Sequence, residues 1–262
     1  MRTSSESRLT AGGKLPGLTA FFPAYNEEAN VVPVAEALLT VLPRVAERWE
    51  LVIVDDGSRD GTGAVADELA RSRPGVRVVH HAVNRGYGGA IKSGLAAAQL
   101  DYVFYMDGDR QFDPTEIARL MVPLDRADVV VGYRAKRADN VVRWLNGVAW
   151  NMLVHALFGV PVRDVDCAFK IFRRSVLDGL EARAEGAMIS TELLARIHER
   201  GHTIVEVLVS HYPRQHGSPS GANPQVILRA FAELFRLRRQ LRRELAGARG
   251  HAARRASIHT PA

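Results

Sequence analysis

The feature that most constrains the fold is a regular alternation of short apolar segments with segments of helical periodicity. The apolar segments are rich in β-branched and aromatic residues and are bounded by Gly, Pro, Asp or Asn, which is typical of buried strands. They lie at 18–24, 50–56, 76–81, 101–107 and 128–134. Between them, apolar residues recur at three- and four-residue steps, as from Val31 to Leu42. The alternation predicts an α/β protein with a mostly parallel central sheet and helices on both faces.

Beyond residue 135 the alternation is less regular, but elements of both kinds are still expected. They are a long helix at about 140–158, a strand near 167–173, a helix near 189–200, a strand at 203–209 and a last helix at about 225–246. No internal repeat and no linker separates the two halves of the chain, so we expect them to share one core.

This pattern also predicts the domain organisation. Residues 1–16 are small and polar and are expected to form a disordered leader. We expect residues 17–225 to form a single domain whose two halves lie at about 17–112 and about 113–225. Residues 226–262 are expected to form a basic amphipathic helix and tail.

Composition excludes several classes of protein. From Arg229 to the end, nine arginines stand against two glutamates, so this tail carries +7 of a chain whose total is +6. The rest of the chain is nearly neutral, and we therefore expect no nucleic-acid partner. Cys167 is the single cysteine, which excludes a disulfide framework and a zinc site built from clustered cysteines.

The sequence contains one stretch of membrane-spanning length. Trp144 to Val162 is free of charge over 19 residues, but it contains two asparagines, His155 and Pro161. Its bulkiest apolar residues fall on one helical side, so we interpret it as an amphipathic or buried helix. The first 17 residues contain no apolar segment that would indicate a signal peptide.

Polar clusters follow four of the predicted strands, where parallel sheets bind their ligands. They occupy 23–28, 55–62, 84–89 and 107–111. Ser58 and Asp60 also fit helix caps, and the glycines of 86–89 either offer helix amides to a phosphate or only turn the chain. The triplet Asp107-Gly108-Asp109 is more specific, because two carboxylates this close repel each other unless a cation lies between them. Mg²⁺ and Mn²⁺ are commonly bound by such carboxylates together with substrate phosphates. The alternative is a solvated turn, because such triplets also occur by chance.

In order and spacing, these clusters resemble glycosyltransferase family 2, and within it the polyprenyl-phosphate branch that includes dolichyl-phosphate mannose synthase. The matching segments are 21–31, 54–62, 84–94, 105–114, 165–174 and 185–214. The resemblance extends over about 17–230. It implies a GT-A fold, in which a Rossmann-like nucleotide-binding donor half, at about 17–112, is fused to an acceptor half at about 113–225. It also implies an inverting enzyme that uses nucleotide sugars. In one departure from the family pattern, Pro219-Ser220 replaces a frequent Ser-Lys pair.

The resemblance also implies which residues form the site. The nucleotide sugar would contact Pro23, Tyr25, Glu27, Asp55, Asp56, Gly86 and Asp107. Mg²⁺ or Mn²⁺ would be bound by Asp107, Asp109 and Gln111. The acceptor phosphate would be bound by Arg134, Arg143 and Arg214. The catalytic group would comprise Asp109, Arg134 and Asp166.

The function implied by the resemblance is transfer of a hexose, from GDP-mannose or UDP-glucose, to a dolichyl-type polyprenyl phosphate at the cytoplasmic face of the membrane. With a phosphate acceptor, Asp166 would orient groups; with an alcohol acceptor, it would be the candidate general base. One alternative is a soluble family 2 transferase that acts on a hydroxyl of a small molecule or polysaccharide. Another is a non-catalytic protein that binds anionic lipid or nucleic acid.

The C-terminal segment shows an apolar stripe flanked by arginines. The stripe comprises Ile227, Phe231, Leu234, Leu237, Leu241 and Leu245. A basic amphipathic helix of this kind is typical of proteins that lie on anionic membranes. Packing of the stripe on the domain or on a second subunit is the alternative, and the oligomeric state remains open.

Overall fold

A computed structural model describes residues 13–134, 141–214 and 233–244, with the backbone alone described at 141–146. The chain divides into two compact units, residues 1–218 and residues 219–262. The first unit contains a seven-stranded sheet. Its strands are β1 (Leu15–Ala24), β2 (Ala46–Asp55), β3 (Val76–His80), β4 (Tyr102–Met106), β5 (Val129–Arg134), β6 (Phe169–Arg173) and β7 (Ile204–Val209).

Helices connect most of these strands. They are α1 (Glu28–Val45), α2 (Thr62–Ser72), α3 (Tyr87–Ala97), α4 (Ile117–Met121), α5 (Val141–Phe158) and α6 (Met188–Glu199). Short 3₁₀ turns lie at Pro114–Glu116, Val122–Asp125 and Arg174–Leu177. The strands and helices predicted within the described ranges are all present, and the largest difference is that β2 begins at Ala46 instead of residue 50.

The sheet order is β3-β2-β1-β4-β6-β5-β7. Strand β1 pairs in parallel with both β2 and β4, and β5 pairs in parallel with β7. Strand β6 is antiparallel to both of its neighbours, β4 and β5. The chain runs outward from β1 to β3 and then returns to β4 on the other side of β1. The carboxyl ends of β1 and β4 therefore form a topological switch point, where open α/β sheets bind ligands.

The core is centred on β1 and β4, which are apolar along nearly their whole length because helices cover both faces of the sheet. Phe21 stacks on Tyr105 with ring centroids 5.3 Å apart, and Phe104 packs edge-on against Phe169 at 4.8 Å. These four aromatic side chains are fully buried. They link strands β1 and β4 to β6 through direct aromatic contacts.

The two ends of the chain differ in part from expectation. Strand β1 begins at Leu15, whose side chain is fully buried, and Leu15 lies within the segment 1–16 that the sequence predicts as a leader. Residues 1–12 of the predicted leader lie outside the described residues. In the second unit, residues 233–244 are helical. Leu234, Leu237 and Leu241 of the apolar stripe are buried there, whereas Ile227, Phe231 and Leu245 lie outside the described residues.

Within the described ranges, we find no helix that combines the length and the hydropathy needed to cross a bilayer.

Candidate active site

The loops that follow β1 and β2 hold each other in place. The amide of Asn26 donates to Ser58 Oγ at 3.0 Å, and Asn26 Oδ1 accepts from the amide of Arg59 at 2.8 Å. The amide of Glu27 donates to Thr62 Oγ1 at 2.9 Å. Asn26 has a positive φ of 54°, a strained conformation that tends to occur at functional sites. Pro23, at the end of β1, and the exposed Tyr25 therefore border a loop fixed by its neighbour.

Asp55 ends β2 beside His80, because the parallel register pairs these two residues. His80 Nδ1 lies 2.9 Å from Asp55 Oδ2, and its Nε2 lies 2.9 Å from Asp67 Oδ1 on α2. Hydrogen bonds to Asp67 and Asp55 raise the pKa of His80. Burial acts to raise the pKa of Asp55, but hydrogen bonds from Ser58 and His80 outweigh it and lower that pKa. Asp55 is thus held as an ionised carboxylate.

The residues that follow β2 and β3, Asp56 and His81, form a second pair of carboxylate and imidazole. His81 Nδ1 lies 2.5 Å from Asp56 Oδ1, and its Nε2 lies 2.8 Å from Ser93 Oγ on α3. The amide of Arg85 also donates to Asp56 Oδ1, at 2.8 Å. Sequence reasoning missed both histidines as site residues. The sequence pattern that could have identified them is an Asp-Asp pair at the end of one strand followed by a His-His pair at the end of the next.

The glycine-rich segment that opens α3 packs against the loop before α6. Gly86 has a φ of 76°, and a Cβ there would lie 2.8 Å from the carbonyl oxygen of Glu185. The amide of Gly88 donates to that carbonyl at 2.7 Å, and the amide of Gly86 donates to Asn84 Oδ1 at 3.1 Å. Packing therefore explains why glycine is needed here, and the amides of Gly86 and Gly88 already donate to groups of the protein. A nucleotide contact at Gly86 stays a prediction.

Asp109 lies in the turn after β4 and is only 5% exposed. Its Oδ1 accepts from the amide of Gln111 at 3.1 Å. Its Oδ2 accepts from Arg214 Nη2 at 3.0 Å, and that guanidinium also reaches Glu27 Oε1 at 3.5 Å. Arg214, predicted to bind acceptor phosphate, therefore contacts two carboxylates predicted for the donor site.

The glycine between the two aspartates is required by packing. A Cβ on Gly108 would lie 2.7 Å from the carbonyl oxygen of Pro23, so the turn leaves no room for a side chain against β1. The residue therefore brings the end of β4 close to the end of β1, which places the first and fourth polar clusters together.

Asp107 is a buried carboxyl group whose charged form the protein only partly stabilises. Burial and the charge of Asp109 raise the pKa of Asp107 to about 7, although a hydrogen bond from Tyr87 and the charges of Arg134 and Lys170 oppose this. Its buried Oδ1 has no hydrogen-bond partner in the part of the chain that the structure describes. A bound cation would relieve both conditions, so the residue fits a metal ligand.

The available ligands suit a metal shared with a substrate. Among the described residues, no group of three or more His, Cys, Asp or Glu side chains is arranged to hold a metal ion. Gln111 uses its side-chain amide to donate to the carbonyl of Tyr212 at 3.0 Å. Asp107 and Asp109 would thus supply one or two hard oxygen ligands, which is the usual protein share at Mg²⁺ or Mn²⁺ sites completed by phosphates.

On the acceptor side, Arg134 at the end of β5 is held by Asp164. Its Nε and Nη2 lie 2.7 and 2.8 Å from the two carboxylate oxygens of Asp164. Burial opposes the charge of Arg134, but Asp164 raises its pKa. Asp166 is exposed, and its charge acts on both Arg134 and Tyr87. The structure therefore places Asp166 near Arg134, whereas the side chain of Arg143 lies outside the described residues.

Two further features border this site. Lys170 is almost completely buried, and its ammonium group donates to the carbonyl of Cys167 and lies 5.4 Å from the ring centroid of Tyr105. A mainly apolar cavity of about 580 Å³ opens beside Arg214. It is lined by residues of α1, the segment after β4 and the segment after β7, among them Val34, Phe112 and Tyr212.

Comparison with known proteins agrees with this geometry. The model of the family described as glycosyl transferase family 2 matches residues 19–180, which is more than half of the chain. The chain belongs to glycosyltransferase family 2. In this family 2 protein, the matched segment begins within β1, extends past β6 and includes all four polar clusters.

Two relatives are similar to this chain over most of its length. Dodecaprenyl-phosphate galacturonate synthase of Rhizobium johnstonii is 31% identical over 204 residues, which cover 76% of this chain and 60% of the relative. Undecaprenyl-phosphate 4-deoxy-4-formamido-L-arabinose transferase of Pectobacterium atrosepticum is 30% identical over 207 residues, covering 78% and 62%. The family 2 chain thus spans about three fifths of the length of these relatives.

Solved structures show the same fold. Glucosyl-3-phosphoglycerate synthase of Mycobacterium tuberculosis, in complex with phosphoglyceric acid, superposes with a TM-score of 0.67 at 24% identity, over 85% of this chain and 80% of that one. The same protein in complex with Mn²⁺, uridine diphosphate and phosphoglyceric acid also gives 0.67, at 22% identity, over 85% and 78%. The predicted GT-A fold is confirmed.

Proposed function

We propose that this protein transfers a sugar from a nucleoside diphosphate sugar to a polyprenyl phosphate. The proposal rests on one observation, that carboxylates and cationic side chains lie together at the switch point of the sheet. Asp107 and Asp109 lie there with Arg214, and the charges of Arg134 and Lys170 act on Asp107. Anionic groups on both substrates need such cations. The names of two relatives, both polyprenyl-phosphate sugar transferases, support the acceptor.

On the donor side, Asp55 and Asp56 would contact the ribose and the base, and Asp107 and Asp109 would hold Mg²⁺ or Mn²⁺ together with the diphosphate. When bound, the metal would offset the negative charge that develops on the diphosphate leaving group. Tyr87 donates a hydrogen bond to Asp107 and so helps to fix the orientation of that carboxylate. The roles of the metal and the diphosphate are the same for GDP-mannose and UDP-glucose.

On the acceptor side, a phosphate oxygen attacks the anomeric carbon, and the bond from that carbon to the diphosphate breaks. The products are a sugar phosphodiester of the polyprenol and a free nucleoside diphosphate, with inversion at the anomeric carbon. An ionised phosphate needs no general base, so arginines that orient it are sufficient. Asp164 engages Nε and Nη2 of Arg134 and leaves Nη1 for the phosphate.

The membrane would supply the acceptor, and we place the protein at the cytoplasmic face as a peripheral protein. The arginines of the C-terminal segment provide attraction to anionic lipid. The apolar cavity beside Arg214 supports the proposal because it offers an apolar surface next to the charged groups that would hold the acceptor phosphate.

A comparison of acceptors tests this function. The full chain is incubated in detergent micelles with Mg²⁺ or Mn²⁺, a panel of nucleotide sugars, and either polyprenyl phosphate or polyprenol. We expect release of nucleoside diphosphate to depend on the phosphorylated lipid. Equal release with polyprenol, or release with a soluble alcohol alone, would contradict the proposal and favour the family 2 alternative that acts on hydroxyl groups.

A further inference from the structure

The carboxylate of Asp56 is held by the side chain of His81, which is held in turn by Ser93 on α3. Its side chain is 4% exposed, as is that of His81. His81 follows β3 and contacts Asp56 Oδ1 at 2.5 Å through Nδ1, and Ser93 on α3 contacts the opposite ring nitrogen at 2.8 Å. The imidazole is therefore fixed at both nitrogens, and it fixes the carboxylate in turn.

The chemistry of these groups assigns the direction of the bonds. An ionised carboxylate only accepts hydrogen bonds, so His81 Nδ1 carries a proton and donates it. The amide of Arg85 donates to the same oxygen at 2.8 Å. Oδ1 thus accepts two hydrogen bonds from the protein, whereas Oδ2 accepts none from the residues that the structure describes. Oδ2 is the oxygen that remains for a ligand.

This difference between the two oxygens affects which nucleotide base the site can bind. Uracil presents a single N–H donor between two carbonyl oxygens, and one carboxylate oxygen satisfies it. Guanine presents two adjacent donors, N1–H and N2–H, which are matched by both oxygens of one carboxylate in a bidentate contact. A carboxylate with one oxygen already occupied can still accept the single N–H of uracil. With guanine it leaves one of the two donors unpaired, which is costly in a desolvated site.

We propose that His81 is a positioning residue that, through Asp56, makes the donor site selective for uridine nucleotides over guanosine nucleotides. The inference rests on the proposed function, because it takes Asp56 to be the group that contacts the base. It extends that function by naming the nucleotide. The competing explanation is that His81 only ties β3 to α3 and has no effect on the ligand.

Binding of UDP and GDP to the full chain in the presence of Mn²⁺, measured by calorimetry, tests the inference. We expect the unmodified protein to bind UDP at least about tenfold more tightly than GDP. His81→Leu removes the donor to Oδ1, so UDP binding should weaken by about tenfold while GDP binding is kept or improves. His81→Asn places an amide donor at the position of Nδ1 and should restore most of the preference for UDP.

Two further variants make the test independent of folding. Ser93→Ala removes only the second anchor of the imidazole and should shift the UDP-to-GDP ratio in the same direction, by about threefold. It tests the inference even if His81→Leu fails to fold. His202→Gln is the matched control, because His202 Nδ1 lies 3.6 Å from Asp128 Oδ2 before β7 and β5 begin, at the opposite end of those strands from the site. It should leave the ratio unchanged.

The outcomes separate this inference from the proposed function. Equal affinity of the unmodified protein for UDP and GDP would overturn the inference. So would an equal loss of both affinities in His81→Leu, without rescue by Asn, since that result indicates a structural role. Selective UDP binding without transfer to polyprenyl phosphate would uphold the inference and contradict the proposed acceptor. Failure to bind either nucleotide would contradict both.

Discussion

Carboxylates at the donor end of the sheet differ in how their charge is compensated. Asp55 and Asp56 each contact a histidine, and Asp109 contacts Arg214. Asp107 has instead a buried oxygen without a hydrogen-bond partner among the described residues, and burial and Asp109 raise its pKa to about 7. The uncompensated charge is therefore concentrated where a divalent cation and a diphosphate would meet.

Substitution of Asp109 tests the metal assignment. Asp109→Ala should lower transfer by at least about a hundredfold, because it removes a charged ligand from the site where leaving-group charge develops. The melting temperature should shift by no more than about 4 °C, since Asp109 lies in a turn and not in the apolar core. Turnover and thermal unfolding measure the two effects.

The matched control for Asp109→Ala is Asp125→Ala, which removes an exposed carboxylate from the 3₁₀ turn before β5. It should leave transfer unchanged. Normal turnover of Asp109→Ala in the presence of EDTA would show that the metal assignment is wrong.

Substitutions on the acceptor side distinguish a phosphate from an alcohol nucleophile. Arg134→Gln should lower kcat/KM by about ten- to hundredfold, because one charge-assisted contact contributes about 1.5–3 kcal/mol. Asp164→Asn should act in the same direction by releasing Arg134. Asp166→Asn should have a much smaller effect, because a phosphate acceptor needs no general base. Steady-state kinetics with polyprenyl phosphate measure all three. A larger loss in Asp166→Asn, together with turnover of free alcohols, would indicate a hydroxyl acceptor.

The contact between Arg134 and Asp164 could not be predicted from the sequence. The sequence singles out Arg134 as a phosphate ligand through the family resemblance, but nothing in the spacing indicates that Asp164, 30 residues later, engages its guanidinium. The contact of Arg214 with Asp109 joins residues 105 positions apart. Such partners depend on tertiary packing, whereas the residues that carry the chemistry follow directly from where the strands end.

At the scale of elements, periodicity predicts the strands and helices but not which strands are neighbours. The pairing of β2 with β3 in parallel register places Asp55 beside His80. Successive side chains of a strand point to opposite faces, so His80 bonds to Asp67 of α2 and His81 bonds to Ser93 of α3. Two helices on opposite faces of the sheet thus support adjacent carboxylates, an arrangement that requires the register and not only the sequence.

The link between β3 and α2 should depend on pH. Hydrogen bonds to Asp67 and Asp55 raise the pKa of His80 above its ordinary value of 6.5. Protonated His80 therefore stabilises the fold fully below that value, and the contribution is lost as the pH rises through the raised folded-state pKa. Urea unfolding should show that His80→Gln is more destabilising at about pH 6 than at about pH 9.

Asp67→Asn provides a second test of that link, because it removes the carboxylate that contributes most to the shift at His80. Its effect on the free energy of unfolding should also be larger at the lower pH. A destabilisation by His80→Gln that is equal at both pH values would contradict the ion-pair account of this contact.

The C-terminal helix combines buried leucines with exposed arginines. Leu234, Leu237 and Leu241 are buried, so these three side chains of the apolar stripe are not exposed to lipid. Arg236, Arg239 and Arg243 are exposed and remain available to an anionic surface. Any attraction to membranes would then be electrostatic, with the arginine face as its source.

Charge reversal at three of the exposed arginines of this helix tests the membrane proposal without changing the leucines. The triple variant Arg236→Glu, Arg239→Glu, Arg243→Glu should sediment with anionic vesicles at least about tenfold less than the unmodified protein, at about 1 kcal/mol per basic residue near the surface. Added salt should mimic the variant, and UDP binding should be unchanged. Equal sedimentation of the two proteins would remove the membrane role of this helix.

At the scale of the whole molecule, the sequence predicts more of the donor half than of the acceptor half. The alternation of elements and the four polar clusters predict the sheet and its ligand-binding edge, because those clusters are local in sequence. The antiparallel strand β6 and the burial of Lys170 depend on contacts between distant segments. The resemblance to family 2 adds residue roles that no local pattern provides, and its GT-A fold is the part that the structure confirms.

The most direct test of the account is the identity of the product. The full chain is incubated with Mn²⁺, a UDP-linked sugar and polyprenyl phosphate, and the lipid fraction is analysed by mass spectrometry and by NMR of the anomeric centre. The account predicts a sugar joined through a phosphodiester to the polyprenol, with anomeric configuration inverted relative to the donor and one UDP released per sugar transferred. A sugar joined to a hydroxyl group, or a product with retained configuration, would contradict it.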